Sequence, residues 1–553
     1  MLNQLFRKKP VQQALENDPE QAETHSLHKV LTTRDLTFFG IAAIIGAGSF
    51  SSMGEACFKG GPGVVILFII CAVACGFTAL CYAEFASRVP ASGSAYTYAY
   101  VSFGELFAWI IGWALLMEYS IGNIYVAFSW SGYFTNLLEG VGLHLPEWLT
   151  TNYRSAHNMY DQNISSEGML AWMTAPKVGS LRIIFDLPAV IINMLITALV
   201  YVGVKETRNA SNFMVMLKLA VIVLVIVVGA FYVDIDNWSP FMPNGFTGVM
   251  GGVAAVFFAF IGFDAVSTLA EESKDPQRDL PKGMIYSLII CTVVYIALAL
   301  VLTGMVSYQQ LGVSDPLAEV FKIREVKWML YIVSLVAVVA MTSVLLVFQM
   351  GQPRIWMSMS RDGLMPKRFA SIHPKFKTPG FATIVTGLVV GIPLFFTDEK
   401  FVLDFTSIGT LFAFVLVCCG VLMLPPKQAG EGGKFKLPYV NSKFIFPAMV
   451  VVAAGLLLQF NPQFFSNTFI INSETAATNV PMIIFFIVCV LMAVFSFLKN
   501  FSLIPVLGVV SCCYLLTGMA LSNWIWFSVW LVIGVVIYFL YGFRKSKLAI
   551  NTN

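Results

Sequence analysis

The chain has 553 residues, 58% of them hydrophobic and only 12% charged, with 47 Phe, 19 Tyr and 11 Trp. A soluble domain carries roughly 25% charged residues, so an ordinary water-soluble enzyme is excluded and an integral membrane protein is implied. The net charge of +3 is scattered through short loops, which excludes a nucleic-acid-binding face.

Residues 1–35 are polar and contain no apolar signal-peptide core, so they read as a cytoplasmic tail. A membrane helix needs about 20 apolar residues. Runs of that kind lie near 36–57, 62–86, 103–137, 183–204, 211–233, 248–270, 283–307 and 327–350, and again near 380–397, 401–425, 444–460, 479–498, 501–521 and 523–543. The expectation is an all-α protein with about fourteen transmembrane helices; the count falls to thirteen or twelve if thinly divided stretches such as 501–543 are merged. Lys and Arg favour the side of the two termini by roughly three to one, so both termini are expected in the cytoplasm. The connector 351–378, with Arg354, Arg361, Lys367 and Arg368, lies on that side, and the long loop 138–181 faces out. Its Asn163-Ile-Ser165 would be a glycosylation acceptor only in a eukaryote. The ten Cys lie in or at the ends of apolar runs without metal spacing, and the five His fall in tails or loops. No metal, haem or other cofactor is expected.

Two runs contain backbone unsuited to a continuous helix. In the first, Gly46 and Gly48 stand one residue apart at mid-membrane depth; in the sixth, Gly262 and Asp264 sit at comparable depth. Glycine costs about 1 kcal/mol relative to alanine inside a helix. Close helix packing explains a single such site, but interruptions at matching places of two halves point to a midplane substrate site. The N–H groups at such a break suit an anion and the facing carbonyls a cation, which together describe the carboxylate and ammonium of an amino acid.

The residues around these breaks carry a resemblance. Leu31-Thr-Thr-Arg-Asp35 leads into the first run, and Tyr82-Ala-Glu84-Phe-Ala-Ser-Arg88-Val-Pro90-Ala-Ser-Gly93 closes the second. Gly203-Val-Lys-Glu206 follows the fourth, Phe257 through Ser273 with Asp275-Pro-Gln-Arg278 spans the sixth, and Gly351-Gln-Pro-Arg354 through Arg361-Asp-Gly363 follows the eighth. In this order the chain resembles amino acid–polyamine–organocation transporters over roughly residues 30–370. It is most similar to the cationic amino acid transporter branch, through Trp113-Ala-Leu-Leu-Met-Glu118-Tyr. The resemblance implies a five-plus-five inverted repeat of the leucine-transporter type, with helices 1–5 in 36–233 and helices 6–10 in 234–425. Peripheral helices would fill 426–543, and a cytoplasmic tail 544–553. It implies that Ile44, Ala47 and Gly48 meet the substrate's backbone groups, faced by Phe258, Ala259 and Ile261, with Phe258 as an aromatic lid. Asp264 would be the carboxylate nearest the side-chain pocket. Ser49 departs from the aliphatic residue usual there, Glu55 and Lys59 put charge near the outer mouth, and the 138–181 loop is long.

Lys218 lies deep in an apolar run, where a Lys costs about 2.5–3.5 kcal/mol. On position alone it either snorkels, being roughly 13 Å from Asn209 along a helix, or serves a purpose. The resemblance places its ammonium where sodium-driven relatives hold sodium, against the carbonyls of Ala42 and Ile45 and the hydroxyls of Thr342 or Ser343. Glu118 either makes a structural hydrogen bond or binds a cationic side chain or protons. Glu84 and Arg88 are an i,i+4 ion pair, structural or part of an inner gate. Glu271, Glu272 and Arg354 are gate pairs or solvated ends.

No P-loop, HExxH or GxSxG motif occurs and no apolar run holds a His, so neither ATP-driven transport nor an enzyme is expected. A channel would require a continuous polar pore. The reading is a secondary active amino acid transporter of the cell membrane, sodium-independent, with protons and the lipid bilayer as partners. Its expected substrate is Lys, Arg or ornithine. The alternatives are a small neutral amino acid taken up with protons, amino acid/polyamine exchange, and a nutrient sensor.

Overall fold

The computed structural model describes residues 6–9, 31–46, 48–89, 94–161, 167–179, 181–203, 208–313, 315–376, 378–424, 435–460, 462–472 and 475–550. Ala47 and Asn163 lie outside the described residues, as do 90–93 and 204–206 of the motifs and the side chains of Glu271 and Glu272.

Helix α1 (Thr33–Ile44) starts where Asp35 accepts the Thr32 N–H at 2.9 Å, a capping-box contact that satisfies an otherwise orphaned donor. The chain then leaves helical geometry at Ile45, makes a wide turn over Gly48–Ser52, and resumes as α2 (Met53–Gly60). A Gly61-Pro62-Gly63 turn reverses it into α3 (Val64–Arg88), and the short α4 (Ser94–Ser102) precedes the 36-residue α5 (Glu105–Gly140). The long loop holds helices Tyr153–Asp161 and Glu167–Thr174 and a two-residue hairpin of Lys177–Val178 with Leu181–Arg182. Then come α6 (Leu187–Val202), capped by Asp186 at the Ala189 N–H, and α7 (Arg208–Ala230).

The sixth run is broken twice. Gly245–Gly251 meets α8 (Val253–Phe260) at a bend of 43°, and α8 stops at Ile261 before a tighter 263–272 segment. Next are α9 (Pro276–Met305), α10 (Lys327–Arg361), α11 (Gly380–Gly391) and α12 (Glu399–Met423). The rest is α13 (Ile445–Phe460), α14 (Ala476–Lys499), α15 (Leu503–Leu516) and α16 (Leu521–Ile537). Among the described residues, seven helices are long and apolar enough to cross a membrane, eight if the bent pair counts as one.

Packing follows a rule. The first apolar run packs on the sixth (α1 on 263–272), the second on the seventh (α3 on α9), the third on the eighth (α5 on α10), and the fourth on the ninth (α6 on α11). α5 is the central post, since α12 also lies along it. α16 is fastened to α5 by two indoles that exchange hydrogen bonds. Trp113 Nε1 donates to the Trp530 carbonyl at 2.9 Å and Trp530 Nε1 to the Trp113 carbonyl at 3.0 Å, with their rings stacked at 4.6 Å. Trp109 adds a bond to the Gly534 carbonyl at 2.8 Å. The outer faces of α13 and α14 expose Val451, Val452, Ile484 and Val490, side chains suited to hydrocarbon rather than water.

Two boundaries differ from the sequence expectation. The segment 351–361, expected to begin a connector, continues α10. It packs against α5, where Gln352 Nε2 donates to Ser120 Oγ at 2.6 Å and Trp356 and Met359 are buried, although Gln352 Oε1 and Trp356 Nε1 have no partner among the described residues. The turn dividing the final two helices lies at Thr517–Ala520 rather than at Ser522–Asn523, because Gly518 there breaks the helix more readily than a Ser-Asn pair.

Candidate substrate site at the helix breaks

Ending α1 in mid-bundle leaves its last carbonyls without helical partners. The Tyr295 hydroxyl donates to Ile44 O at 2.9 Å. The fully buried Lys218 reaches across from α7, and its Nζ donates to Ala42 O at 3.2 Å and Ile45 O at 3.1 Å. A cation thus sits at the negative end of the half-helix, where the helix dipole favours it. Beyond the break, the Gly46 N–H has no hydrogen-bond partner among the described residues, so a donor is available on the opposite side. Thr342 donates to Val338 O and accepts from Trp130 Nε1, and Ser343 donates to Ala340 O.

The two breaks interlock. A Cβ on Gly48 would lie 2.6 Å from Ala259 Cα, and a Cβ on Gly262 would lie 2.9 Å from the Ala43 carbonyl carbon. Gly262 also adopts φ +119°, a left-handed conformation that side chains resist. Each glycine therefore lets one broken segment lie against the backbone of the other.

Between them is a narrow cavity of about 10 Å³, lined by Ala43, Ile44, Gly48, Val126, Phe258, Ile261, Val344 and Phe348. Ligand pockets usually span about 300–1,000 Å³, so this is a contracted site. Of the residues expected from sequence, Ile44, Gly48, Phe258 and Ile261 line it, while Ala259 lies behind Gly48. Phe258 is held by Tyr125, edge-on with centroids 4.6 Å apart. Val126, Val344 and Phe348 escaped sequence reasoning. The i,i+4 spacing of Val344 and Phe348 marks a single helix face, but nothing separates that face from a lipid-facing one. A larger open recess of about 480 Å³, near Phe58, Asn244 and Tyr308, lies off the breaks, and its Lys59 is already paired with Glu55.

The carboxylates are buried but lie outside the lining. Asp264 takes backbone hydrogen bonds from Gly262, its own N–H and Ala265, capping the segment after the second break, while its Oδ1 has no partner among the described residues. Glu118 lies against Thr410, and its Oε2 is likewise without a partner there. Glu84 is paired with Arg88 at 2.7 Å and also accepts the Leu437 N–H at 2.7 Å. That geometry clamps the segment following α12. Among the described residues no group of His, Cys, Asp or Glu has the arrangement of a metal site.

A model of the amino acid permease family matches residues 31–491. The chain belongs to that family. A model of the C-terminus of such permeases matches residues 502–546. This permease is 38% identical to the branched-chain amino acid permease of Bacillus subtilis (strain 168), over 99% of its own length and 100% of the relative's. It is 37% identical to the methylthioribose transporter of the same organism, over 99% and 100% of the two chains. It is 30% identical to the vacuolar cationic amino acid transporter 2 of Arabidopsis thaliana, over 96% and 91%. The kinship expected from sequence, with the amino acid–polyamine–organocation superfamily and its cationic transporters, therefore holds. The permease is a multi-pass membrane protein whose relatives are named as transporters and permeases.

Proposed function

We propose that this permease is a sodium-independent secondary active amino acid transporter working by alternating access. Fourteen crossings in a five-plus-five inverted repeat would carry it, with both termini in the cytoplasm and the 138–181 loop outside the cell. One observation carries the reading: the Lys218 ammonium occupies the carbonyl end of the broken α1, supplying from the chain itself the positive charge that a bound cation would otherwise bring. The run-on-run packing, each of the first four on the one five places later, supports the repeat. Gly46 and Gly48 would receive the substrate carboxylate and the ends of α1 and α8 its ammonium. Glu118 and Asp264, each with one oxygen that has no partner among the described residues, are the acceptors through which proton coupling would run.

For the substrate, the lining favours an aliphatic side chain. Val126, Ile261, Val344 and Phe348 are all apolar, and a cationic side chain among them would be desolvated without a partner. The likeness to a relative named as a branched-chain permease agrees. Lys, Arg or ornithine is the second reading, supported by the Asp264 and Glu118 oxygens that lack a partner among the described residues and by the relatives named as cationic transporters. The test is uptake of labelled Ile, Ala and Arg into proteoliposomes in sodium-free buffer, with and without an inward proton gradient. Ile uptake that outcompetes Arg is expected. Arg uptake alone would restore the cationic reading, a requirement for sodium would overturn the role of Lys218, and binding without uptake of any of the three would favour a sensor.

A further inference from the structure

At the end of the bundle away from the termini, Glu399 opens α12 just before its membrane-crossing part. One carboxylate oxygen, Oε1, accepts hydrogen bonds from Ser51 Oγ and Ser129 Oγ, each at 3.3 Å. Ser51 Oγ in turn accepts from the Tyr125 hydroxyl at 3.1 Å, and the Tyr125 ring rests edge-on against Phe258. A half-buried carboxylate is thus wired through hydroxyls to the aromatic that covers the cavity. Ser51 belongs to the turn after the first break, Ser129 and Tyr125 to α5, and Phe258 to α8. Separating α2 and α8 from α5 and α12 would pull this cluster apart.

The charges around it come from every neighbouring element. Glu55 and Lys59 on α2 are paired at 3.1 Å, and Asp398 is paired with Arg154 of the long loop at 3.2 Å. Asp315, ahead of α10, accepts from Asn136 Nδ2 at 2.5 Å, and Asp186 at the head of α6 accepts from Ser131 Oγ at 2.6 Å. Among the described side chains, which do not include that of the adjacent Lys400, the two cations in this set, Lys59 and Arg154, are thus each engaged by an acid other than Glu399. An ionised Glu399 would have hydroxyl partners and an acidic neighbourhood.

We propose that Glu399 is a proton-responsive latch of this gate: closure over Phe258 carries one proton from the adjoining medium onto the Glu399 carboxylate, so that acidity on that side favours closure. The proposal rests on reading α2, which follows the first break, and α8, which precedes the second, as the moving parts of the transporter. The physical reason is that closing the mouth strips water from a carboxylate, which disfavours its charged form. Burial raises the Glu399 carboxyl from 4.5 to about 7, with Glu55 and Asp315 adding to the rise and the Ser129 and Ser51 hydroxyls opposing it. When Ser51 withdraws and water returns, the group regains its ordinary value. The sign follows: the closed form binds the proton more tightly, so closure gains as pH falls through 7 and stops gaining below about 4.5. By linkage, the closed-to-open ratio rises about tenfold between pH 8 and pH 6.

The test is hydrogen–deuterium exchange of the whole protein in lipid nanodiscs at pH 6 and pH 8, without substrate and corrected for the intrinsic pH dependence of exchange. Residues 48–60 and 245–260 report on the gate and α10 serves as the reference. Wild type should gain about tenfold protection in the two reporters at pH 6. Glu399→Gln should be protected at both pH values, Glu399→Asp should keep a response, and Ser129→Ala should move the midpoint to higher pH. Wild type showing no gain, or a gain on alkalinisation, overturns the proposal without any variant, as does Glu399→Gln responding like wild type. No substrate is present, so this outcome is independent of which amino acid the protein carries.

Discussion

Replacing Lys218 by Met separates what this residue does for folding from what it does for transport. Its Nζ donates to the Ala42 and Ile45 carbonyls from a fully buried position. Removing both donors leaves two buried acceptors, at about 1–3 kcal/mol each, and removes a cation from a helix C-terminus, worth up to about 2 kcal/mol when partly buried. Against this stands the cost of holding an ammonium in the membrane, about 2.5–3.5 kcal/mol, which Met does not incur. The opposing quantities partly cancel, so Lys218→Met should cost about 2 kcal/mol of global stability and no more than about 5. Transport is different, because the tie between α7 and the end of α1 has to be made and unmade in each cycle. Uptake into sodium-free proteoliposomes driven by an inward proton gradient should fall more than tenfold, while the variant still folds and unfolds cooperatively in detergent with a modestly lowered midpoint. Undiminished, pH-dependent uptake by Lys218→Met would refute the reasoning. Unfolding of the variant would show that the ammonium is needed for structure rather than for the cycle.

Three further outcomes are expected. Gly48→Ala places a methyl 2.6 Å from Ala259 Cα, a backbone clash of the kind that costs about 1–3 kcal/mol; substrate affinity measured by uptake should fall about tenfold or more while the protein still folds. Val344→Ala removes two methyls from the cavity wall and should move preference toward bulkier apolar side chains in competition assays, and an unchanged preference order would remove Val344 from the site. Glu84→Gln weakens both the Arg88 pair and the charged acceptor for the Leu437 N–H, at about 1–3 kcal/mol. Thermal stability should drop with turnover per folded molecule unchanged, whereas a selective loss of turnover would make the pair a gate.

The apolar runs were legible because a bilayer tolerates few alternatives to a helix of about 20 residues, and every run holds helix in the structure. The breaks were legible because Gly46, Gly48 and Gly262 stand at mid-membrane depth in matching apolar runs. The Lys218 contacts with Ala42 and Ile45 came from family resemblance, since no local pattern links residues 176 and 173 positions apart. The cavity's side walls were not legible. Val126, Val344 and Phe348 have the same chemistry as residues that face lipid, and only the packing of α5 against α10 sets them apart. Asp264 was singled out for its charge, yet its backbone bonds give it a capping role that Gly262-x-Asp264 at a helix start could have suggested. Glu399 drew no attention because an acid at a helix start is ordinary in sequence; its significance lies in Ser51 and Ser129, which are 348 and 270 residues away along the chain.

The reciprocal indoles of Trp113 and Trp530 have a practical consequence for anyone wishing to watch this protein work. Motion can be measured only against something that stays still, and two stacked rings exchanging hydrogen bonds, reinforced by Trp109 on Gly534, weld α16 to the central post. A probe on the exposed side of α16, at Val532 or Val536, therefore reports the coordinates of α5 without entering the site. Distances from that fixed origin to α2 and α8 would give the stroke of each directly, in ångströms, free of the tumbling of the bundle as a whole.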